Sequence, residues 1–137
     1  MKARQAAFAF CLTVAAAAAG AQTSALDECR RQASDTAQLA QCLQLAQRTA
    51  NDDMLATFQQ IERRLRQREP AEAGDAAAAA LRRSQRDFER YVEGQCGFVH
   101  ALAGGGGLGD VAALACEIDL LRQRQFMLQT LLPRASN

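Results

Sequence analysis

Apolar side chains recur at intervals of three and four residues along most of this chain, which is the period of an amphipathic helix. Asp35 and Gln38 form a capping-box pattern at the start of the longest series. The residue before a proline disfavours helical geometry, so we expect this helix to cover residues 35–69 and to stop before Pro70. Its apolar face consists of Leu39, Leu43, Ala46, Ala50, Met54, Phe58, Ile61 and Leu65.

The same period predicts two further long helices. One covers residues 75–96, with a connection at 70–74 before it and Asp75 as its cap; the other begins at the cap Asp110 and ends at Pro133. A short helix is expected at residues 25–32. No segment alternates with a period of two, so no strand is predicted. The short connection predicts that helices 35–69 and 75–96 are antiparallel neighbours.

Residues 97–109 are predicted to be the one irregular region, because they contain four consecutive glycines at 104–107. A phosphate-binding P-loop would need a preceding strand and a following Lys and Ser/Thr, and neither occurs here. We therefore interpret this region as a flexible linker.

The first 21 residues have the organisation of an export signal. Lys2 and Arg4 give a positive start, an apolar run follows, and the small residues at 19–21 predict cleavage after Ala21, with cleavage after Ala25 as a second possibility. Cys11 lies within the apolar run and is expected to be lost with it. This leaves one small domain, residues 22–137, without a membrane anchor, in the periplasm or secreted.

The net charge of the mature chain does not indicate a particular class of partner. Removing the signal takes two of the 16 basic residues and none of the 15 acidic ones, so 14 against 15 leaves a net charge of −1. A nucleic-acid partner normally requires a basic face, so this class of partner is not expected.

Four cysteines remain in the mature chain, and an even number in a small exported protein indicates disulfides. We favour Cys29–Cys42 and Cys96–Cys116, because each pair joins consecutive elements, while the crossed pair Cys42–Cys96 stays open. No CxxC pair occurs, so neither a zinc site nor a redox centre is indicated. The predicted fold is all-α: a small disulfide-clamped helical bundle built on a long antiparallel helical hairpin plus a C-terminal helix.

Reactive chemistry is sparse. His100 is the only histidine, and we interpret it as an exposed loop residue without a nucleophile to activate. The adjacent carboxylates of Asp52 and Asp53 do not face each other on a helix. We therefore expect no cofactor, no metal and no enzymatic activity.

One ordered set of residues spans the second half of the chain: Gln85, Phe88, Tyr91 and Cys96, then the glycines at 104–107, then Cys116, Leu120, Arg124 and Leu128. In this order and spacing it resembles the family named after the LprI lysozyme inhibitor. Cys42 and the segment 50–58 are similar to an earlier part of the family pattern. Three positions depart from it: Phe88 stands where Trp is usual, Val92 where Arg is common, and Leu121 where Thr is found.

The resemblance implies an exported protein that binds a lysozyme and occludes its cleft, where two catalytic carboxylates lie. Basic side chains at Arg30, Arg31 and His100, in the N-terminal turn and the Cys96–Cys116 loop, are the predicted partner contacts. Phe88, Tyr91 and Arg124 are interpreted as packing residues of the clamp. The alternative is a periplasmic interaction or structural module that binds another envelope protein through the outer face of helix 35–69.

Overall fold

The computed structural model describes residues 23–135, and in this range the chain forms four helices and no strand. They are α1 (Ala25–Gln32), α2 (Thr36–Arg66), α3 (Ala71–Leu102) and α4 (Gly106–Ala135). The predicted all-α bundle is confirmed. The export signal, its cut after Ala21 and Cys11 lie outside the described residues.

Side-chain caps begin the first two helices, and the one at Asp35 was predicted. The hydroxyl of Ser24 accepts a hydrogen bond from the Asp27 backbone N–H at 3.2 Å. A carboxylate oxygen of Asp35 accepts one from the Gln38 N–H at 2.8 Å. Each cap satisfies a backbone donor that has no partner within its helix. At its other end α2 stops at Arg66, three residues before the predicted end.

The connection between α2 and α3 differs from the prediction. The turn lies at residues 67–70, Pro70 is the N-cap of α3, and Asp75 is inside the helix rather than its cap. Proline is tolerated at a helix start because the first N–H groups have no helical acceptor. Gly74 is also helical and buried: a Cβ there would overlap the carbonyl oxygen of Leu65. Close helix contact, not flexibility, explains this glycine.

The prediction that residues 97–109 are irregular is also wrong. Helix α3 continues to Leu102 and α4 begins at Gly106, so Cys96 and Cys116 lie inside helices, and Asp110 is not a cap. Three glycines of the turn have positive φ angles, 87° at Gly104, 69° at Gly105 and 56° at Gly106. Glycine adopts this left-handed conformation without a steric penalty. The glycine run therefore forms a tight corner between two helices.

At its C-terminal end α4 runs two residues past the predicted stop at Pro133. Helices α2 and α4 are central, because each of them packs against the other three. None of the helices in residues 23–135 combines the length and apolar character that a membrane span requires.

The core has two parts. The first contains Ala25, Cys29, Leu43, Ala50, Ala115 and Ile118, and the second contains Met54, Ile61, Leu65, Ala78 and Leu128. In the second part α2 and α3 pack on each other as the predicted antiparallel hairpin. Towards the first part they diverge, and α4 separates them.

Both favoured disulfides are present, Cys29–Cys42 and Cys96–Cys116, so the crossed pairing is excluded. They close segments of 13 and 20 residues. Cross-links of this span stabilise a chain by about 3 kcal/mol each in the chain-entropy treatment. They lie at one end of the bundle, where α1 and α3 finish and α2 and α4 begin. We call this the clamped end.

Candidate functional site

Arg124 of α4 joins two helices through one guanidinium group. Its Nη2 donates to Ser84 Oγ at 3.0 Å and its Nε to Gln85 Oε1 at 3.4 Å. The guanidinium carbon lies 5.4 Å from the centre of the Phe88 ring, within cation–π range. Burial lowers the pKa of Arg124, but an arginine remains charged at neutral pH. The cation therefore links α3 to α4.

Gln85 completes this node from inside the bundle. It is buried, and besides accepting from Arg124 it donates from Nε2 to Glu89 Oε1 at 3.2 Å. No buried side-chain nitrogen or oxygen among the described residues lacks a hydrogen-bond partner. A satisfied buried amide specifies one alignment of its helices.

A shallow groove of about 250 Å³ runs along the α3–α4 seam beside this node. It is lined by Phe88, Tyr91, Leu120, Gln123, Arg124 and Met127. Four residues of the ordered motif thus line one groove, namely Phe88, Tyr91, Leu120 and Arg124. Gln85, Cys96 and Leu128 are buried instead. Half-buried Phe88 fits the packing role predicted for it, but Tyr91 is 55% exposed. The prediction that Tyr91 packs the clamp is wrong.

His100 lies in the last turn of α3 and not in a loop. Its Nε2 is 3.1 Å from Asp110 Oδ1, and its carbonyl oxygen accepts from the Gly105 N–H at 3.0 Å. Gly109 packs against the imidazole ring, so the space beside its Cα holds a hydrogen atom but not a Cβ. The interpretation as a free loop residue is therefore wrong: His100 is half-buried and helps to build the α3–α4 corner.

Arg30 and Arg31 lie in the last turn of α1, and both are exposed. In the described part of the chain neither forms an ion pair. The topology brings them to the clamped end, where His100 also lies, although no contact joins the histidine to either arginine. Two cations are therefore presented to solvent at the end where the sequence places the partner contact.

A larger cleft of about 440 Å³ opens where α2 and α3 diverge, and the sequence did not indicate it. Apolar side chains line it (Met54, Leu55, Phe88, Val92, Leu121), as do polar ones (Gln47, Asn51, Gln85, Glu89, Glu93, Glu117). Phe88, Val92 and Leu121, the three departures from the family pattern, all line this cleft.

Within residues 23–135, no group of three or more His, Cys, Asp or Glu side chains is arranged to hold a metal ion. The surfaces that the described residues present are exposed arginines, an aromatic groove and a mixed polar–apolar cleft.

A comparison with models of protein families identifies the family of this chain. The family model for lysozyme inhibitor LprI matches residues 27–128. The chain belongs to the LprI family. The matched stretch begins inside α1 and ends inside α4, so it includes both disulfides, the Arg124 node and the α3–α4 corner. Comparisons with curated proteins and with solved structures gave no match.

Proposed function

We propose that this LprI family member is an exported, non-enzymatic protein that binds a lysozyme-type muramidase and occludes its substrate cleft. The observation that carries the proposal is the family match, which extends over most of the bundle and over both cross-links. A rigid, disulfide-clamped end suits inhibition, because a preorganised surface loses little entropy on binding.

Arg30 and Arg31 are the proposed contacts with the muramidase. Its cleft contains two catalytic carboxylates, and a guanidinium donates two parallel hydrogen bonds to a carboxylate. Both arginines are exposed and free of intramolecular ion pairs among the described residues, so binding breaks no existing pair. His100 is a weaker contact, because Asp110 already engages its Nε2.

A turbidity assay of bacterial cell-wall lysis tests the proposal. We expect the oxidised protein to slow lysis by at least one type of muramidase, and the variant Arg30→Glu/Arg31→Glu to lose this effect. Arg83→Glu is the matched control, because Arg83 is an exposed arginine in the middle of α3, away from the clamped end. Unchanged lysis at excess protein with several muramidase types would remove the proposal.

Export is the second part of the proposal, with cleavage after Ala21 rather than after Ala25. Ala25 is fully buried, and its N–H donates to Asp119 Oδ1 at 2.9 Å. A cut after Ala25 would remove this contact and the Ser24 cap, while a cut after Ala21 leaves α1 intact. N-terminal sequencing of the exported protein should begin at Gln22; a sequence that begins at Leu26 would contradict the proposal.

The alternative is an envelope interaction module that uses α2. Leu45, 61% exposed on α2, is the observation that favours it. Pull-down from an envelope extract, with and without added muramidase, separates the two functions. An inhibitor retains the added muramidase, whereas an interaction module retains the same envelope protein in both cases.

A further inference from the structure

A row of side chains follows one line of α3 at alternating steps of three and four residues. It consists of Phe88, Tyr91, Gln95, Phe98 and Leu102, and we call it the α3 stripe. The spacing is that of the a and d positions of a coiled coil, which form a seam with a second helix. Yet Tyr91, Phe98 and Leu102 are 55%, 60% and 73% exposed.

The described chain leaves Tyr91, Phe98 and Leu102 of this stripe largely open to solvent, whereas Phe88 is half-buried against Arg124. The buried face of α3 contains Ala78, Gln85 and Cys96 instead. With ~200 Å² for each large side chain, the three exposed members present roughly 400 Å² of mainly apolar surface. Patches of about 300–600 Å² are the largest on a typical monomer and are often functional.

One of two exposed glycines in the C-terminal part of α3 lies next to this stripe. Gly94 and Gly97 are exposed, and a Cβ at either position would meet no atom within 4 Å. Glycine lowers helix stability relative to alanine, and packing within the chain does not require it here. Gly94 follows Tyr91 by three residues and precedes Phe98 by four, so it lies at the edge of the stripe. A small residue there lets a second helix approach closely.

We propose that the α3 stripe binds the α3 stripe of a second copy of this chain, antiparallel and about a two-fold axis at Gln95. The stripe is nearly symmetrical about Gln95: Phe88 and Leu102 lie seven residues to either side of it, so they face each other across the two copies. Tyr91 lies four residues before Gln95 and Phe98 three residues after it, so these two aromatic residues adjoin. A two-fold interface requires such self-complementarity. Gln95 meets its own copy, and an amide both donates and accepts, so the pair is satisfied. A single polar residue in a seam specifies the register.

The area buried between the two copies sets the expected strength of the dimer. Two stripes bury at most roughly 800 Å² of large side chains, which is below the ~1,000 Å² of a stable, specific interface and in the range of a weak, transient one. We therefore expect a reversible dimer with a dissociation constant on the order of 10 µM. This inference is independent of the proposed inhibition of a muramidase.

Sedimentation velocity tests the dimer, with protein expressed from the full chain and recovered with its disulfides formed. Between about 1 and about 200 µM, around the expected constant, the sedimentation coefficient should rise from the monomer to the dimer value. Phe98→Glu should abolish the rise. Leu45→Glu, at a leucine 61% exposed on α2, should not change it. If Phe98→Glu loses its helical circular dichroism, Leu102→Glu replaces it.

The glycines supply a second test. Gly94→Leu and Gly97→Leu should each raise the Tm of dilute protein by about 4 °C, because both remove a helix glycine. Only Gly94→Leu should weaken the dimer, by tenfold or more, since Gly97 lies away from the stripe. A protein that stays monomeric at every concentration overturns the proposal. So does a dimer that tolerates Phe98→Glu and Leu102→Glu, because another surface then forms it.

Discussion

Replacing Gly109 by alanine should destabilise the corner between α3 and α4. A Cβ added at Gly109 would lie 2.8 Å from the carbonyl oxygen of His100, 2.7 Å from its Cδ2 and 2.9 Å from its Nε2. Carbon atoms in folded proteins do not approach this closely, so an atom must move. The carbonyl oxygen is not free to do so, because it accepts the Gly105 N–H at 3.0 Å.

The expected loss of stability on Gly109→Ala follows from the cost of forcing one extra carbon atom into a packed site, typically about 1–3 kcal/mol. Gly107→Ala is the matched control: Gly107 lies two residues earlier in the same helix, and its added Cβ meets no atom within 4 Å. Alanine there raises helix propensity and should stabilise by up to about 1 kcal/mol. The two substitutions should therefore change the stability of the fold in opposite directions.

Thermal unfolding of the oxidised proteins, followed by circular dichroism, measures both effects. At about 4 °C per kcal/mol for a domain of this size, Gly109→Ala should lower the Tm by about 4–12 °C. Adding His100→Ala should restore part of the loss by removing the ring contacts, but not the contact with the carbonyl oxygen. Equal, near-zero shifts for Gly109→Ala and Gly107→Ala would refute the reasoning and support a flexible linker.

Three further substitutions test other contacts. Arg124→Lys should cost about 1–3 kcal/mol in urea unfolding, because lysine lacks the fork that satisfies buried Gln85. The hydrogen bond from Arg82 Nη1, at 2.6 Å, lowers the pKa of Glu62 below its usual 4.5, so its stabilisation is present at neutral pH and is lost as the pH falls through the lowered pKa. Glu62→Gln should therefore cost at most about 1 kcal/mol at pH 7, and urea unfolding at a series of pH values from 7 downwards should show that cost shrink in acid. Gly74→Ala should lower the Tm by more than Gly109→Ala, because its Cβ would come closer to a backbone carbonyl oxygen, that of Leu65 in α2, than a Cβ at Gly109 comes to that of His100.

The helices and disulfides were predictable because both depend on local information. The apolar period identifies each buried face, and Leu43, Met54 and Ile61 of the predicted series are buried in α2. Each cysteine pair joins elements that are consecutive in the chain, so the favoured pairing needed no knowledge of the tertiary structure.

The helix ends were less predictable, because glycine has two opposite roles. At Gly104 the chain needs a positive φ angle, so glycine ends the helix. At Gly74 and Gly109 a neighbouring backbone or ring leaves no space for a Cβ, so glycine continues it. Only the tertiary packing distinguishes these cases, and the sequence interpretation treated all three as linker.

The candidate site was predictable in part. Part of the ordered motif does meet around Arg124, namely Gln85, Phe88, Tyr91 and Leu120. The exposure of Tyr91 was missed, because an apolar side chain at a helical interval is as consistent with a second partner as with the core. The α2–α3 cleft was missed because it exists only where the two helices diverge, which no local pattern encodes.

The two proposed surfaces constrain each other. In the antiparallel dimer Leu102 of one copy faces Phe88 of the other, so the α3–α4 corner with His100 lies against the partner bundle. Arg30 and Arg31 belong to α1, which packs against α2 and α4 rather than α3, so the dimer leaves them free.

If Arg30 and Arg31 carry the inhibition, the potency per chain should be the same for monomer and dimer. If the corner carries it, dimerisation should compete with the muramidase, and the monomeric Phe98→Glu variant should inhibit more strongly at high concentration. A turbidity titration across the dimer transition therefore assigns the inhibitory surface.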